Sequence, residues 1–316
     1  MPAVSVIVPL YNKRSTIART LRSVYEQTFR DFEVIVVDDG STDDSRAIVE
    51  ALDYPDLRLV SQENAGPGAA RNHGARISEA EFLAFIDSDD EWLPQYLKRS
   101  VEILEADPRL CSVTSSYLED PEGRDLTAYW HSQGLRDGLV GVEGVPDTRK
   151  VLTLLRFMQT ITTTLRRERY LHFGGYYDSF RSLYGEDSHL FLKLLLNGCV
   201  GLNLEPLARY HREDSDLSVS SRGPRQVESF LIDPDDVRDA CPAHLSDVLD
   251  RVFEARANKT ACVLGYWGDW RRASEVRRRF ARGTLGSPMH VPALVAATPI
   301  GAAAGAATRL IRRAVR

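Results

Sequence analysis

The first 120 residues alternate between two hydrophobic periods. Residues 4–8 form an apolar run without helical spacing and read as a buried strand. Ile17, Leu21 and Val24 then recur at helical spacing and predict a helix over 15–26. The alternation continues with strands at 32–37, 57–60, 82–86 and 110–117 and helices at 47–52, 69–77 and 94–105. Ser41 and Thr42 are candidate N-caps for the second helix. Strands that read as apolar runs separated by helices imply a mostly parallel sheet covered on both faces. Residues 119–150 are rich in Gly, Asp, Pro and Arg and show no period, so a long loop or insertion is expected there. Apolar patterning resumes over 151–167, and a helix is expected over 190–196, just after an acidic motif. From about residue 233 the character changes: 237–280 reads as helical and Arg-rich, and 291–316 as an Ala-rich tail ending RLIRRAVR.

Composition narrows the class. With 316 residues, 43% hydrophobic and 27% charged, the chain has ordinary globular composition and enough length for a large core. A net charge of −5 gives no basic excess, which argues against a nucleic-acid partner. Cys111, Cys199, Cys241 and Cys262 form no CxxC pair and match no common zinc spacing, so reduced and mostly buried thiols are expected. The start, MPAVSVIVPLYNK, lacks the charged opening and length of a signal peptide, and no run of 18 strongly apolar residues predicts a membrane span. A cytoplasmic location is expected.

The chemistry gathers at strand ends, where open parallel sheets bind ligands. Three ends carry polar clusters: Pro9-Leu10-Tyr11-Asn12-Lys13, Asp38-Asp39-Gly40-Ser41-Thr42-Asp43 and Asp87-Ser88-Asp89-Asp90. Adjacent carboxylates at the end of a buried strand repel and lose hydration unless a cation or donors compensate. Asp87 and Asp89, two apart on extended chain, suit a hard divalent cation that keeps room for phosphates. The plainer alternative is an acidic turn in which Asp89 or Asp90 caps the helix beginning near Pro94. No GxGxxG follows the first strand. The segment Gly66-Pro67-Gly68-Ala69-Ala70-Arg71-Asn72 follows the third strand, and Pro67 lacks an N–H. Without a glycine cradle, a metal and side chains must carry a diphosphate's charge.

Taken in order, VSVIVPLYNK, QTFRDFEVIVVDDGSTDDS, NAGPGAARNHG, FIDSDDEW and YGEDSHLFLKLL resemble a family 2 glycosyltransferase of the GT-A fold, over residues 4 to about 213. The resemblance implies a nucleotide-sugar-binding and catalytic domain at 1–220, a mainly helical extension at 221–316, and a nucleotide-diphosphate-sugar donor, best guessed as a UDP-sugar. It implies a divalent cation, Mn2+ or Mg2+, and a saccharide or lipid-linked acceptor. Pro9 and Tyr11 would line the nucleobase pocket and Asp39 would accept a hydrogen bond from the base, while Asp38 orders the loop. Arg71 would reach the base or diphosphate. Asp87 and Ser88 would lie near the ribose, Asp87 and Asp89 would hold the metal, and His211 would complete its shell. Arg212 would offset diphosphate charge. Asp187 would be the general base for inverting transfer, with Glu186 supporting the acceptor end. An N-cap is the alternative role for Asp187.

Trp92 reads as packing, with an acceptor platform as the alternative. The tail's Arg309, Arg312, Arg313 and Arg316, with Arg271, Arg272, Arg277, Arg278 and Arg279, could lay a basic helix on the inner face of a membrane. The alternative is a helix packed on the core or on a second subunit of a homodimer. Two other functions compete with the transferase: a nucleotidyltransferase, which normally carries a Gly-rich basic loop after the first strand, and a catalytically silent sugar-nucleotide binder.

Overall fold

Alternate residues of the first strand bury into opposite layers. Val4, Val6, Val8 and Leu10 pack with Ile17, Leu21, Val24, Leu97, Val101 and Leu104, while Ile7 packs with Ala75, Leu83 and Phe85 on the other side. That two-sided burial is what an unbroken apolar strand requires. The computed structural model describes residues 1–140, 147–182, 184–214, 227–280 and 290–305.

The strands are β1 (Val4–Leu10), β2 (Phe32–Asp38), β3 (Leu57–Ser61), β4 (Phe82–Phe85), β5 (Glu91–Trp92), β6 (Leu110–Asp120), β7 (Arg124–Asp125), β8 (Gly138–Val140), β9 (Thr163–Arg166) and β10 (Cys199–His211). The helices of the first half are α1 (Ile17–Tyr25), α2 (Ser45–Glu50), α3 (Pro67–Ile77), α4 (Tyr96–Ala106), α5 (Thr127–Ser132), α6 (Thr148–Phe157) and α7 (Arg167–His172). There follow α8 (Glu186–Asn197), α9 (Ser229–Ile232), α10 (Pro234–Ala240), α11 (Ser246–Trp267), α12 (Trp270–Phe280) and α13 (His290–Ala296). The sheet runs β3-β2-β1-β4-β9-β6-β10-β5. β3, β2, β1 and β4 are parallel, and so are β6 and β10; short β9 is antiparallel to both β4 and β6 and joins the two blocks. The result is the expected mostly parallel α/β sheet flanked by helices, with a helical C-terminal region.

Several local expectations are corrected. The stretch 119–150 is not simply a loop: β6 runs on to Asp120, β7, α5 and β8 follow, and Leu126, Trp130 and Leu135 are buried in the core. Residues 141–146 lie outside the described residues. Ser41 and Thr42 do not cap α2, whose N-cap is Asp44. Ser41 Oγ instead accepts from the Asn12 amide, and Asn12 Oδ1 accepts from the Thr42 amide at 2.8 Å, tying the ends of β1 and β2 together. Cys111 is buried, but the free thiols Cys241 and Cys262 are only half-buried. The C-terminal helices pack against the rest of the chain. Phe230, Val248, Val252, Phe253, Ala257 and Ala261 share one hydrophobic cluster with Leu190–Leu196 of α8 and with Val151 and Leu154 of α6.

Candidate active site

Loop geometry places the side chains. After β1, Tyr11 is exposed and Asn12 adopts φ 52°, turning the chain so that Lys13 points back under the sheet end. Lys13 Nζ lies 2.9 Å from Asp89 Oδ2 and 2.9 Å from the Asp214 carbonyl oxygen. Arg19 of α1 binds the Asp89 carbonyl at 2.5 Å and Asp214 Oδ2 at 2.9 Å with the same Nη2. The segment after β10 is thus drawn onto the turn after β4.

The Asp87–Asp90 turn is more than a helix cap. The N-cap of α4 is Gln95, which sets aside the capping role for Asp89 and Asp90. Asp87 accepts from Arg71, the Ser88 carbonyl accepts from Thr16 Oγ1, Asp89 pairs with Lys13, and Asp90 accepts from the His211 amide at 2.8 Å. Burial, then the charge of Asp87, raises the Asp89 carboxyl above its ordinary range against the pull of Lys13. Burial and the charges of Asp89 and Asp87 push Asp90 well above it. These are the signatures of crowded anions in a poorly hydrated place.

His211 lies among carboxylates. Its Nε2 is 2.6 Å from Glu91 Oε2, and its Nδ1 is 3.7 Å from Glu213 Oε1. Its ligand atom groups with those of Glu213 and Asp214, all within 4.8 Å of one another. Arg212 lies 3.7 Å from Glu122. Beyond Asp214 the YHREDSDLS segment lies outside the described residues.

On the β2 side, Asp38 Oδ1 accepts from the Ser41 amide, as expected of a loop-ordering residue. Asp39 is spoken for inside the chain. Its Oδ1 accepts from Gln62 Nε2 and the Ala65 amide, and its Oδ2 from the Gly66 amide, each at 2.8 Å. Gly66 has φ 96°, Pro67 opens α3, and a Cβ on Gly68 would come 2.7 Å from the Tyr177 carbonyl oxygen. This close approach aims Arg71, one turn further on, between the two halves of the sheet.

Arg71 is the hub. Its Nη2 lies 2.5 Å from Asp87 Oδ1, its Nη1 lies 3.0 Å from Glu186 Oε1, and its guanidinium stands 5.1 Å from the Tyr176 ring centroid. Burial disfavours the guanidinium charge, but Asp87 and Glu186 hold it firmly protonated. Glu186 is pushed up to about 7 by burial and by Asp187, with Arg71 opposing. Asp187 is raised too, by burial first, against hydrogen bonds from Ser188. The N-cap of α8 is left-handed Gly185, so Asp187 is not the cap; it sits in the first turn. Its Oδ1 accepts from the Ser188 amide at 2.6 Å, and its Oδ2 takes no hydrogen bond among the described residues. Asp187, Glu186, Arg71, Asp87 and Asp90 line one cavity of about 370 Å³. Trp92 is closed to any ligand: it is buried, stacks on Tyr96 at 4.3 Å and donates Nε1–H to the Ile161 carbonyl at 2.7 Å.

Thus Arg71, Asp87, Glu186 and Asp187 come together, Asp89 joins Lys13 beside them, and Pro9, Tyr11 and Asp39 lie at the neighbouring ends of β1 and β2. The sequence singled out neither Lys13 as the counter-ion of Asp89 nor the α11 residues Arg256 and Lys259 that close the cavity. Lys13 could have been suspected as the nearest cation in PLYNK. The α11 pair left no signal.

The sequence model described as Glycosyl transferase family 2 matches residues 5–179. The chain belongs to this family. Among curated relatives, the UDP-Glc:alpha-D-GlcNAc-diphosphoundecaprenol beta-1,3-glucosyltransferase WfaP of Escherichia coli is 27% identical over 215 residues, covering 67% of this chain and 78% of the relative. The putative teichuronic acid biosynthesis glycosyltransferase TuaG of Bacillus subtilis is 35% identical over 134 residues, covering 42% of this chain and 53% of the relative. Among solved structures, S. aureus TarS 1-349 in complex with UDP superposes with TM-score 0.63 at 19% identity, covering 97% of this chain and 91% of that one. The mannosyltransferase PcManGT from Pyrobaculum calidifontis in complex with GDP-Man and Mn2+ gives TM-score 0.59 at 22% identity, covering 96% and 86%. These two likenesses concern the fold. The family match ends before α8, so the GED motif is assigned on geometry and resemblance alone.

Proposed function

We propose that this family 2 glycosyltransferase moves a sugar from a UDP-sugar to an acceptor hydroxyl with inversion, using Asp187 as general base. The observation that carries the reading is the shared cavity: a carboxylate with an unengaged oxygen faces the Arg71–Asp87 pair across it. Asp187 Oδ2 takes the acceptor's proton as the oxygen attacks the anomeric carbon from the side opposite the leaving diphosphate. One base on one side and one leaving group on the other gives inversion. Burial helps, because it raises the proton affinity of Asp187. Arg71 holds Asp87 and Glu186 in register, so donor and acceptor ends share one rigid strut. Asp39 fixes the loop 62–66 that walls the base site, and roughly one of its four lone-pair positions remains for a nucleobase imide.

The donor set fits a hard divalent cation, Mn2+ or Mg2+. Asp87 and Asp89 offer oxygens, and the Lys13 ammonium already marks a cation position between Asp89 and the Asp214 carbonyl. When bound, such an ion supplies charge for the departing diphosphate. Asp89 would hold it with Asp87, and Lys13 would turn toward phosphate oxygens. The test is calorimetric titration of UDP with Mn2+ and with excess chelator. Affinity should drop at least tenfold in chelator and be metal-independent in Asp89→Ala. Equal affinity for the parent chain in both conditions refutes the metal role.

The reading extends to a membrane-borne acceptor. α12 presents Arg271, Arg272 and Arg278 to solvent, and the neighbouring tail exposes Val291, Val295 and Ile300 by 62%, 52% and 78%. Basic charge beside exposed aliphatics suits an anionic bilayer surface. Among the described residues no helix is long and apolar enough to cross a membrane. Arg309, Arg312, Arg313 and Arg316 lie outside the described residues. Co-sedimentation with phosphatidylglycerol vesicles, weakened by Val295→Asp and Ile300→Asp, checks this contact; unchanged sedimentation discards it.

A further inference from the structure

The turn that carries Glu186 and Asp187 has no apolar side chain of its own. From Leu190 onward α8 is anchored by buried leucines and Phe191, but Gly185, Glu186, Asp187, Ser188 and His189 precede them. Hydrophobic packing therefore fixes the body of α8 and leaves its first turn to polar contacts. Two neighbouring buried carboxylates also repel, so this turn needs more holding than an ordinary helix start. Its N-cap, Gly185 at φ 76°, supplies no side-chain cap.

The C-terminal region supplies contacts at both ends of the turn. Ser229, fully buried, donates its Oγ–H to the Gly185 carbonyl, which also accepts from the His189 amide at 3.1 Å. A Cβ on Gly185 would lie 3.4 Å from Glu228 Cα, Cβ and Cγ, so the chain at 228–229 closes directly on the turn. Glu186, His189 and Lys193 share one helix face by their spacing. There His189 Nε2 lies 2.6 Å from Asp236 Oδ2 of α10, and Lys193 Nζ reaches the same oxygen while donating to the Phe173 carbonyl at 3.1 Å. His189 is buried, and burial holds its imidazole below the usual range against the hydrogen bond to Asp236. A neutral ring donating Nε2–H to Asp236 fits, and Nδ1 takes no hydrogen bond among the described residues. The ring also stacks on Tyr177 at 4.8 Å, and the Tyr177 amide donates to the Glu186 carbonyl at 3.2 Å. The imidazole is thus wedged between α10 and the segment that meets the turn.

We infer that Ser229 and Asp236 are positioning residues for the Glu186–Asp187 turn: Ser229 fixes its first carbonyl, and Asp236, acting through His189, fixes its far end. Neither lines the cavity, and both lie outside the residues 5–179 that the family model matches. The helical C-terminal region is in this sense part of the catalytic apparatus. The inference rests on the transferase reading only in calling the turn catalytic.

Hydrogen exchange and a thermal cycle test it on the full chain. Asp236→Asn can keep the oxygen that both His189 and Lys193 use, whereas Asp236→Ala removes it. In Asp236→Ala and in Ser229→Ala, amides of 185–190 should exchange roughly tenfold faster than in the parent while β1, β2 and β4 are unchanged, and Asp236→Asn should keep parental protection. The electrostatic readout is the gain in Tm that Glu186→Gln brings to each background between about pH 5 and pH 8. That gain exists because Glu186 is held in a buried place beside Asp187. It should shrink by at least half in Asp236→Ala and stay whole in Asp236→Asn. A merely structural role would lower Tm alike at both pH values, with the gain intact and no local change in exchange, and that result overturns the inference. If the parent itself shows no gain, the buried-carboxyl reading of Glu186 falls and exchange over 185–190 decides. If Asp236→Ala fails to fold, Ser229→Ala decides, since its Gly185 carbonyl keeps the His189 amide. Neither measurement uses an acceptor, so a failed assignment of Asp187 as base leaves this test standing.

Discussion

Arg71→Met removes the cation from between two carboxylates while keeping an unbranched side chain of similar length. Arg71 has 5% side-chain exposure, Glu186 10% and Asp87 33%. Water can reach Asp87 once its partner is gone, but it reaches Glu186 poorly. Breaking a buried pair from one side costs about 3–5 kcal/mol, and the half-open Asp87 argues for the lower figure, about 3 kcal/mol. At roughly 2 °C per kcal/mol for a chain of this size, Tm should fall by about 6 °C. The loss depends on pH with a definite sign. Glu186 titrates at about 7 in the fold, so at pH 6 it is mostly neutral and needs no counter-ion, whereas at pH 8 it is an anion facing Arg71. The variant should therefore lose more at pH 8 than at pH 6. Arg71→Met/Glu186→Gln should regain more than half of the pH 8 loss. The assay is differential scanning calorimetry of the three chains at both pH values. A fall below about 2 °C, or equal falls at the two pH values, would show that the hub is not a buried ion network.

Other outcomes follow from the same geometry. Asp187→Asn keeps size and one acceptor oxygen but loses the base, so UDP affinity and Tm should hold while transfer falls by roughly 10²–10⁴-fold; transfer at the parent rate would move the role to Glu186. Glu186→Gln removes a carboxyl whose folded pKa of about 7 lies above its ordinary 4.5. A raised acid destabilises the fold progressively as pH climbs between those two values, so the variant should gain Tm over the parent from pH 5 to pH 8, with a ceiling of ~3 kcal/mol; a flat difference contradicts it. Asp39→Ala strips three donors of their acceptor, and hydrogen bonds to a charged group contribute ~1.5–3 kcal/mol each before relaxation. Its Tm should drop even without nucleotide, and an unchanged apo Tm would free Asp39 for the base alone.

How much of this was legible depended on how local the cause was. The strands β1, β2 and β4 were readable because a strand buried on both faces must be largely apolar, and the polar clusters at their ends marked the site. β9 was not: Thr163, Thr164 and Leu165 carry little pattern, and the strand exists because it fills the gap between β4 and β6. The helix caps failed at Ser41 and Thr42 because Asn12, thirty residues away, competes for them. Trp130 looked like part of a loop because its burial depends on Phe157, which it meets edge-on at 5.1 Å. Asp187 was found by its motif, but the wall opposite it could not be. Arg256 and Lys259 sit on a long helix whose charged residues look like any solvated face until α6 and α8 are placed beside it.

That division of the cavity has a consequence for how such a chain can diversify. The nucleotide-facing loops come from the first 90 residues, and the outer wall comes from α6 and α11. An exposed position such as Arg156 can be exchanged without touching the buried Arg71–Glu186 pair. On the proposed function, a descendant could thus change its acceptor while keeping its donor. Grafting the α11 face of one homologue onto another is the corresponding route to a redirected enzyme. The shared hydrophobic cluster sets its limit: Val252, Phe253, Ala257 and Ala261 must stay, because α8 rests on them.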